Sequence, residues 1–168
     1  MATFTGLHTL EIYNHRNTAP TDCYNYMDDF ALTPQNPDLY IETYNLSVGT
    51  GGSTNLTIEA GASHAGEDYF LLASFGSSPG FNIDGQHVNL NMDALFNISR
   101  RNPNSARFQN SMGTLDAYGR AVVTFDTLGS VTPTYEGTTL SFAYVLLSGP
   151  GQRPVTYSSL PVLLNFIP

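Results

Sequence analysis

Apolar and polar residues alternate with a period of two along most of this chain, and helical spacing is nearly absent. In the first stretch, 3–13, Phe4, His8, Leu10 and Ile12 fall on one face, while Thr3, Thr5, Thr9 and Glu11 fall on the other. A second strand is expected at 24–32, with Tyr24, Tyr26, Phe30 and Leu32 on one side. Further short strands are expected at 39–48, 54–59, 69–75, 87–91, 95–100, 113–116, 120–126, 138–147, 154–157 and 160–167. One short helical turn fits near 92–95.

Turn-forming residues separate these stretches. They are Gly49-Thr50-Gly51-Gly52, Gly76-Ser77-Ser78-Pro79-Gly80, Asn102-Pro103-Asn104 and Gly149-Pro150-Gly151. Asp116-Ala117-Tyr118-Gly119 has the form of a hairpin turn with glycine at its left-handed position. Many short strands between Gly/Pro turns predict an all-β fold. Its expected form is an antiparallel β-sandwich, Ig-like or jelly-roll-like, with an N-terminal strand extension. Pro34-Gln35-Asn36-Pro37 marks the expected boundary, with the extension at 1–36 and the sandwich at 37–168.

Composition narrows the partners. The chain has 168 residues, a net charge of -8 and only 12% charged residues. All six basic residues are arginine, and they are scattered. Neither a run of phosphate contacts nor a polybasic patch can be built from them, so no nucleic-acid partner is expected. No apolar run reaches the length of a membrane-spanning helix, so no membrane insertion is expected. Cys23 is the single cysteine and cannot close an internal disulfide. No apolar leader follows Met1-Ala2-Thr3, so the chain is expected to be cytosolic, or a mature or excised piece of something longer. Missing lysine, low charge and abundant Thr, Asn, Ser and Gly favour the second, in a secreted bacterial β-protein.

Candidate chemistry is sparse. Asp28 and Asp29 are weak calcium candidates, but in a strand they point to opposite faces, and calcium needs six to eight oxygens. His64, Glu67 and Asp68 share one loop, and His-x-x-Glu is loosely ligand-like. Zinc would need a third or fourth ligand, and His8, His15 and His87 are scattered. A loop histidine bonded to backbone is the simpler reading. Ala73-Ser74-Phe75-Gly76 lacks the first glycine of a nucleophile elbow. The Gly49–Gly52 run is followed by no lysine and opens no helix, so it is no phosphate cradle. Hence no catalytic residues, no cofactor and no enzyme activity are expected. Tyr13, Tyr24, Tyr26, Tyr40 and Tyr44 crowd the first third, where rings pack across strands, stack on sugars or anchor protein interfaces. Sequons stand at Asn45, Asn55 and Asn97.

From Asn45 onward a set of short motifs becomes familiar. Asn45-Leu46-Ser47, Gly51-Gly52, Leu56-Thr57-Ile58-Glu59-Ala60-Gly61, His64-Ala65-Gly66 and Tyr69 to Ser74 form one block. Ser78-Pro79-Gly80, Gly113 to Ala121, Leu140 to Leu147 and Ser159-Leu160-Pro161-Val162 follow. Over residues 45–168 the chain resembles the C-terminal β-sandwich domain of secreted planctomycete and myxobacterial proteins. That resemblance implies an extracellular, non-enzymatic module. Leu7 to Ile12 and Met27 to Leu32 resemble the last strands of a carbohydrate-binding jelly roll.

Two strands cannot bury their own apolar face, so the first 33 residues are expected to dock, either by joining the sandwich of the same chain or by adding to the edge of a neighbour. Glu11 is the only charge between Met1 and Asn14, so the edge blockers are missing there. Phe4, His8, Leu10 and Ile12 are therefore the expected assembly strand. The C-terminal strand is its rival, with Pro161 and Pro168 restricting its ladder. The expectation is an extracellular or cell-surface structural or adhesive protein that binds itself, as a homo-oligomer or filament, by β-strand addition. The alternatives are a carbohydrate-binding module with a polysaccharide partner, or a jelly-roll viral coat protein.

Overall fold

Residues 53–59 show how alternation becomes architecture: Thr54, Leu56 and Ile58 turn inward and are buried, while Ser53 and Asn55 face outward. The computed structural model describes residues 38–148 and 154–168. Its strands are β1 (Leu39–Ile41), β2 (Asn45–Ser47), β3 (Ser53–Glu59), β4 (Asp68–Ser74), β5 (Phe81–Ile83) and β6 (Gln86–Val88). Helix α1 (Ala94–Arg101) follows. Then come β7 (Phe108–Gln109), β8 (Met112–Thr114), β9 (Arg120–Asp126), β10 (Thr139–Leu147), β11 (Val155–Ser158) and β12 (Val162–Ile167). Single 3-10 turns lie at Ala62–His64 and Pro133–Tyr135. The fold is an all-β sandwich with one short helix.

The first sheet runs β1-β3-β9-β7; the second runs β2-β12-β10-β4-β8, with β11 also on β10. Pairing is antiparallel throughout except for β2 against β12, which is parallel. The main core lies between the sheets. Leu56, Ile58, Val123 and Phe125 come from the first, and Leu71, Leu140, Phe142, Tyr144 and Phe166 from the second.

A second core explains the near-continuous apolar run of β10. Ala143, Val145 and Leu147 point away from the first sheet and are buried under Phe96 of α1 and Val88 of β6. Strands covered on both faces lose their polar alternation. This is why LSFAYVLL is a sandwich strand although it is not amphipathic.

Two expectations are corrected. The stretch 95–100 is helix, not strand. The Asp93 carboxylate accepts the Phe96 N–H at 3.0 Å as the N-cap. Leu95, Phe96 and Ser99 form the buried stripe, and Arg100 and Arg101 stand in the last turn, where the helix dipole favours cations. The stretch 39–48 is two strands in different sheets. The Thr43 N–H turns to Thr54 Oγ1 at 3.0 Å, and Tyr44 O accepts from Asn165 N at 2.8 Å, which moves the chain from one sheet to the other.

The turn at Asp116–Gly119 has hairpin bonding: Gly119 N–H donates to Asp116 O at 3.0 Å, and Asp116 N–H to Arg120 O at 2.9 Å. Its flanking strands nevertheless part company, β8 to β4 and β9 to β3. The turn is a corner between sheets.

Two core tyrosines make stability pH-dependent. Burial pushes the Tyr69 phenol above its ordinary value of 10.0. Burial, and then the facing Asp38 carboxylate, pushes Tyr144 further in the same direction. Raised folded-state values favour the neutral phenols, so the stabilisation is complete below pH 10 and is lost as pH rises above the unfolded value. Above about pH 10, stability should fall by up to about 1.4 kcal/mol per pH unit for each phenol kept protonated. Urea midpoints measured from neutral to strongly alkaline pH should fall less steeply in Tyr144→Phe than in the parent. Equal slopes would contradict this account.

Candidate functional site

Backbone groups at sheet rims decide what an all-β protein can join, because an unpaired ladder is a template for another strand. Most rims here are closed by identifiable groups. The Asn104 carboxamide pairs with β8 as a strand would: Met112 N–H donates to its Oδ1 at 3.0 Å, and its Nδ2 donates to Met112 O at 2.9 Å. Asn104 reaches this position from a left-handed backbone, φ 55°. On β4, the Ala73 N–H is taken by Ser99 Oγ of α1 at 3.1 Å. On β7, the Phe108 N–H goes to Ser105 O at 3.1 Å.

The rim of β1 differs. Glu42 N–H bonds Asn55 O at 2.9 Å and Glu59 N–H bonds Asp38 O at 2.8 Å. With Tyr40 opposite Thr57, this register turns the N–H and C=O of Leu39 and Ile41 away from β3. Among the described residues nothing hydrogen-bonds those four groups. The C-terminal strand is not available as a donor without dismantling the fold, since β12 pairs with β10 on one side and β2 on the other.

A second feature is a cleft of about 380 Å³ at the end of the sandwich where β4 finishes. Its floor is core: Phe125, Leu140 and Phe166. At its rim Phe75 and Tyr135 stack, centroids 5.9 Å apart and planes 9° from parallel, though they are 38% and 41% exposed. Arg107 lines the wall and is half-buried, whereas Arg100, Arg101 and Arg120 are exposed. Arg120 pairs with Glu59 at 3.2 Å. No acid among the described residues is within ion-pair distance of Arg107. Asp126 Oδ1 accepts the Leu128 N–H at 2.7 Å.

Asp93 holds this rim together. One carboxylate oxygen caps α1, and the other accepts the Phe75 N–H at 2.7 Å. Asp93→Ala should therefore cost about 1–2 kcal/mol, measured by chemical denaturation. Asp93→Asn should retain only part of that, since its one amide oxygen can accept from Phe96 or from Phe75 but its NH2 then faces the other N–H. A loss below about 0.5 kcal/mol in the alanine variant would show that neither bond matters.

The structure separates the candidates seen in the sequence. His64 Nδ1 lies 3.2 Å from Glu67 Oε1 across a single turn. Asp68 turns elsewhere and accepts from Thr114 Oγ1 at 2.8 Å. His87 pairs with Asn82 at 2.9 Å. No three His, Cys, Asp or Glu side chains gather as metal ligands among the described residues. Asp28, Asp29, Cys23 and the assembly strand with Phe4, His8, Leu10 and Ile12 lie outside the described residues. No described helix is long and apolar enough to cross a membrane.

Of the sequon asparagines, Asn55 is committed on both sides, to Glu42 at 2.9 Å and Thr124 at 2.8 Å. Asn97 is bonded to Asp93 O at 2.8 Å, and its Ser99 is fully buried. Asn45 is exposed, with one long contact of 3.3 Å to Asn165. Tyr118, in the corner turn near the start of β4, and Tyr135, beside the residue that follows β4, stand at opposite ends of the sandwich. Arg107, Asn104 and the Phe75–Tyr135 pair were not singled out by sequence reasoning. The one signal was an arginine placed directly before a buried phenylalanine in a chain of few cations.

Comparison of the chain with protein families, with characterised proteins and with solved structures yields no match.

Proposed function

We propose that this chain is a non-enzymatic structural or adhesive module of the cell exterior, and that copies of it associate by β-strand addition into a filament or surface assembly. The observation that carries this reading is the outward ladder of β1, whose main-chain groups at Leu39 and Ile41 pair with no described residue although both residues are buried, beside rims closed by Asn104, Ser99 and Ser105. A neighbour's strand laid there would extend the first sheet and satisfy up to four main-chain groups. At about 1 kcal/mol net for each bond, the ladder alone gives weak association, and side-chain burial must add the rest. The alternating face of Phe4, His8, Leu10 and Ile12 has the apolar character a donor needs. Donation of that kind is head-to-tail, and repeated head-to-tail contacts leave the assembly open-ended.

Light scattering of the full chain over a wide concentration range tests this. The apparent mass should rise with concentration, and a chain beginning at residue 35 should remain monomeric. A full chain that stays monomeric at high concentration rejects the proposal. Negative-stain images should then show fibres; closed shells would favour a coat protein instead.

A further inference from the structure

We propose that the cleft beside Phe75 and Tyr135 is a binding site for a small aromatic carboxylate, whose acid group pairs with Arg107 and whose ring lies against the stacked rim. Three observations converge on it. Arg107 is the one described arginine that is not exposed, and no acid answers it. Withdrawing a guanidinium from water without a partner is unfavourable, and a carboxylate is the anion its planar fork fits best. Of the acids on adjoining segments, Asp126 accepts from Leu128, Asp93 accepts from Phe75 and Phe96, and Glu136, beside Tyr135, is exposed and makes no ion pair with Arg107. The charge at Arg107 is therefore left for a ligand, in a chain whose net charge is -8.

The apolar part of the ligand follows from the floor and rim. Phe125, Leu140 and Phe166 form an apolar floor suited to a ring or methylene body, while Thr127, Ser130 and Thr132 share the lining with Arg107 and suit a polar arm. Phe75 and Tyr135 keep much of their surface in water while stacked on each other, so a third flat ring would bury apolar area that the fold leaves exposed. The volume of about 380 Å³ is at the low end for ligand sites and suits one ring with a short acid arm. Asp93 fixes the backbone of Phe75, so the rim is preformed.

Titration calorimetry of the full chain with 3-phenylpropionate, and with its neutral amide, tests the assignment. The acid should bind one-to-one with a Kd of about 1 mM or tighter, and the amide should bind at least about tenfold more weakly. Because that contrast alters only the ligand, it does not depend on any variant folding. Arg107→Gln should weaken the acid at least about tenfold and leave the amide unchanged, while Arg107→Lys should fall between. Tyr135→Ala should weaken acid and amide alike. Equal binding of acid and amide, or no binding of either, overturns the proposal. So does binding only to a peptide ending in phenylalanine and not to the free acid, since the site would then be a peptide groove.

Discussion

Phe142→Ala is expected to lower the free energy of unfolding by about 3–5 kcal/mol. Phe142 is fully buried on β10, the strand that carries the second sheet. Its ring meets Phe125 of the first sheet edge-on, centroids 5.2 Å apart, and Phe125 in turn meets Phe108 at 5.5 Å. Removing the ring that the second sheet contributes to this row opens a cavity between two sheets whose backbones are fixed by their own ladders. Neither sheet can collapse inward to fill it, so the cost should approach the upper half of the range. Urea denaturation followed by circular dichroism gives the value. A loss under about 1.5 kcal/mol would mean that the sheets do move together, and that the row is not the main contact between them.

Gly119→Ala should cost about 3 kcal/mol, through two effects that can be separated. Gly119 has a φ of 73°, a left-handed backbone that L-residues adopt at some cost. A methyl group there would also sit on the backbone carbonyl of Gly61. The corner would have to open, and the bond from Ala60 N–H to Gly119 O, 2.9 Å, would be lost with it. Gly66 is the control: its φ is 78°, yet open space surrounds the position. Gly66→Ala should cost only about 1 kcal/mol, the strain alone. If the two variants lose the same amount, the close approach to Gly61 has no energetic consequence.

The ends of elements were less legible than their centres. β9 is expected from sequence at the residues it occupies, because Ala121, Val123 and Phe125 alternate cleanly with Arg120, Val122 and Thr124. Residues 95–100 read as a strand because six residues of mixed polarity satisfy a period of two almost as well as one of 3.6. What decides for helix is the Asp93 cap together with an apolar face of β4 and β10 to cover, and the second of these is invisible locally. The split of 39–48 depends on Thr54 and Asn165, residues that are distant in sequence. Of the two site features, the outward ladder of β1 is a matter of register, and the cleft is assembled from α1, β9, β10, β12, a 3-10 turn and the residues that flank β4 and β7. No window of sequence contains either.

Alternation and turn chemistry by themselves determined that this chain makes sheets and where most strands lie. Side-chain direction in a strand is a local property, so a local pattern suffices for it. Only the tertiary structure decided which rims are closed, which strand is buried on both faces, and that Arg107 stands unanswered beside a stacked aromatic pair. Those depend on contacts between segments far apart along the chain, where pairing register and packing, rather than local preference, set which groups meet.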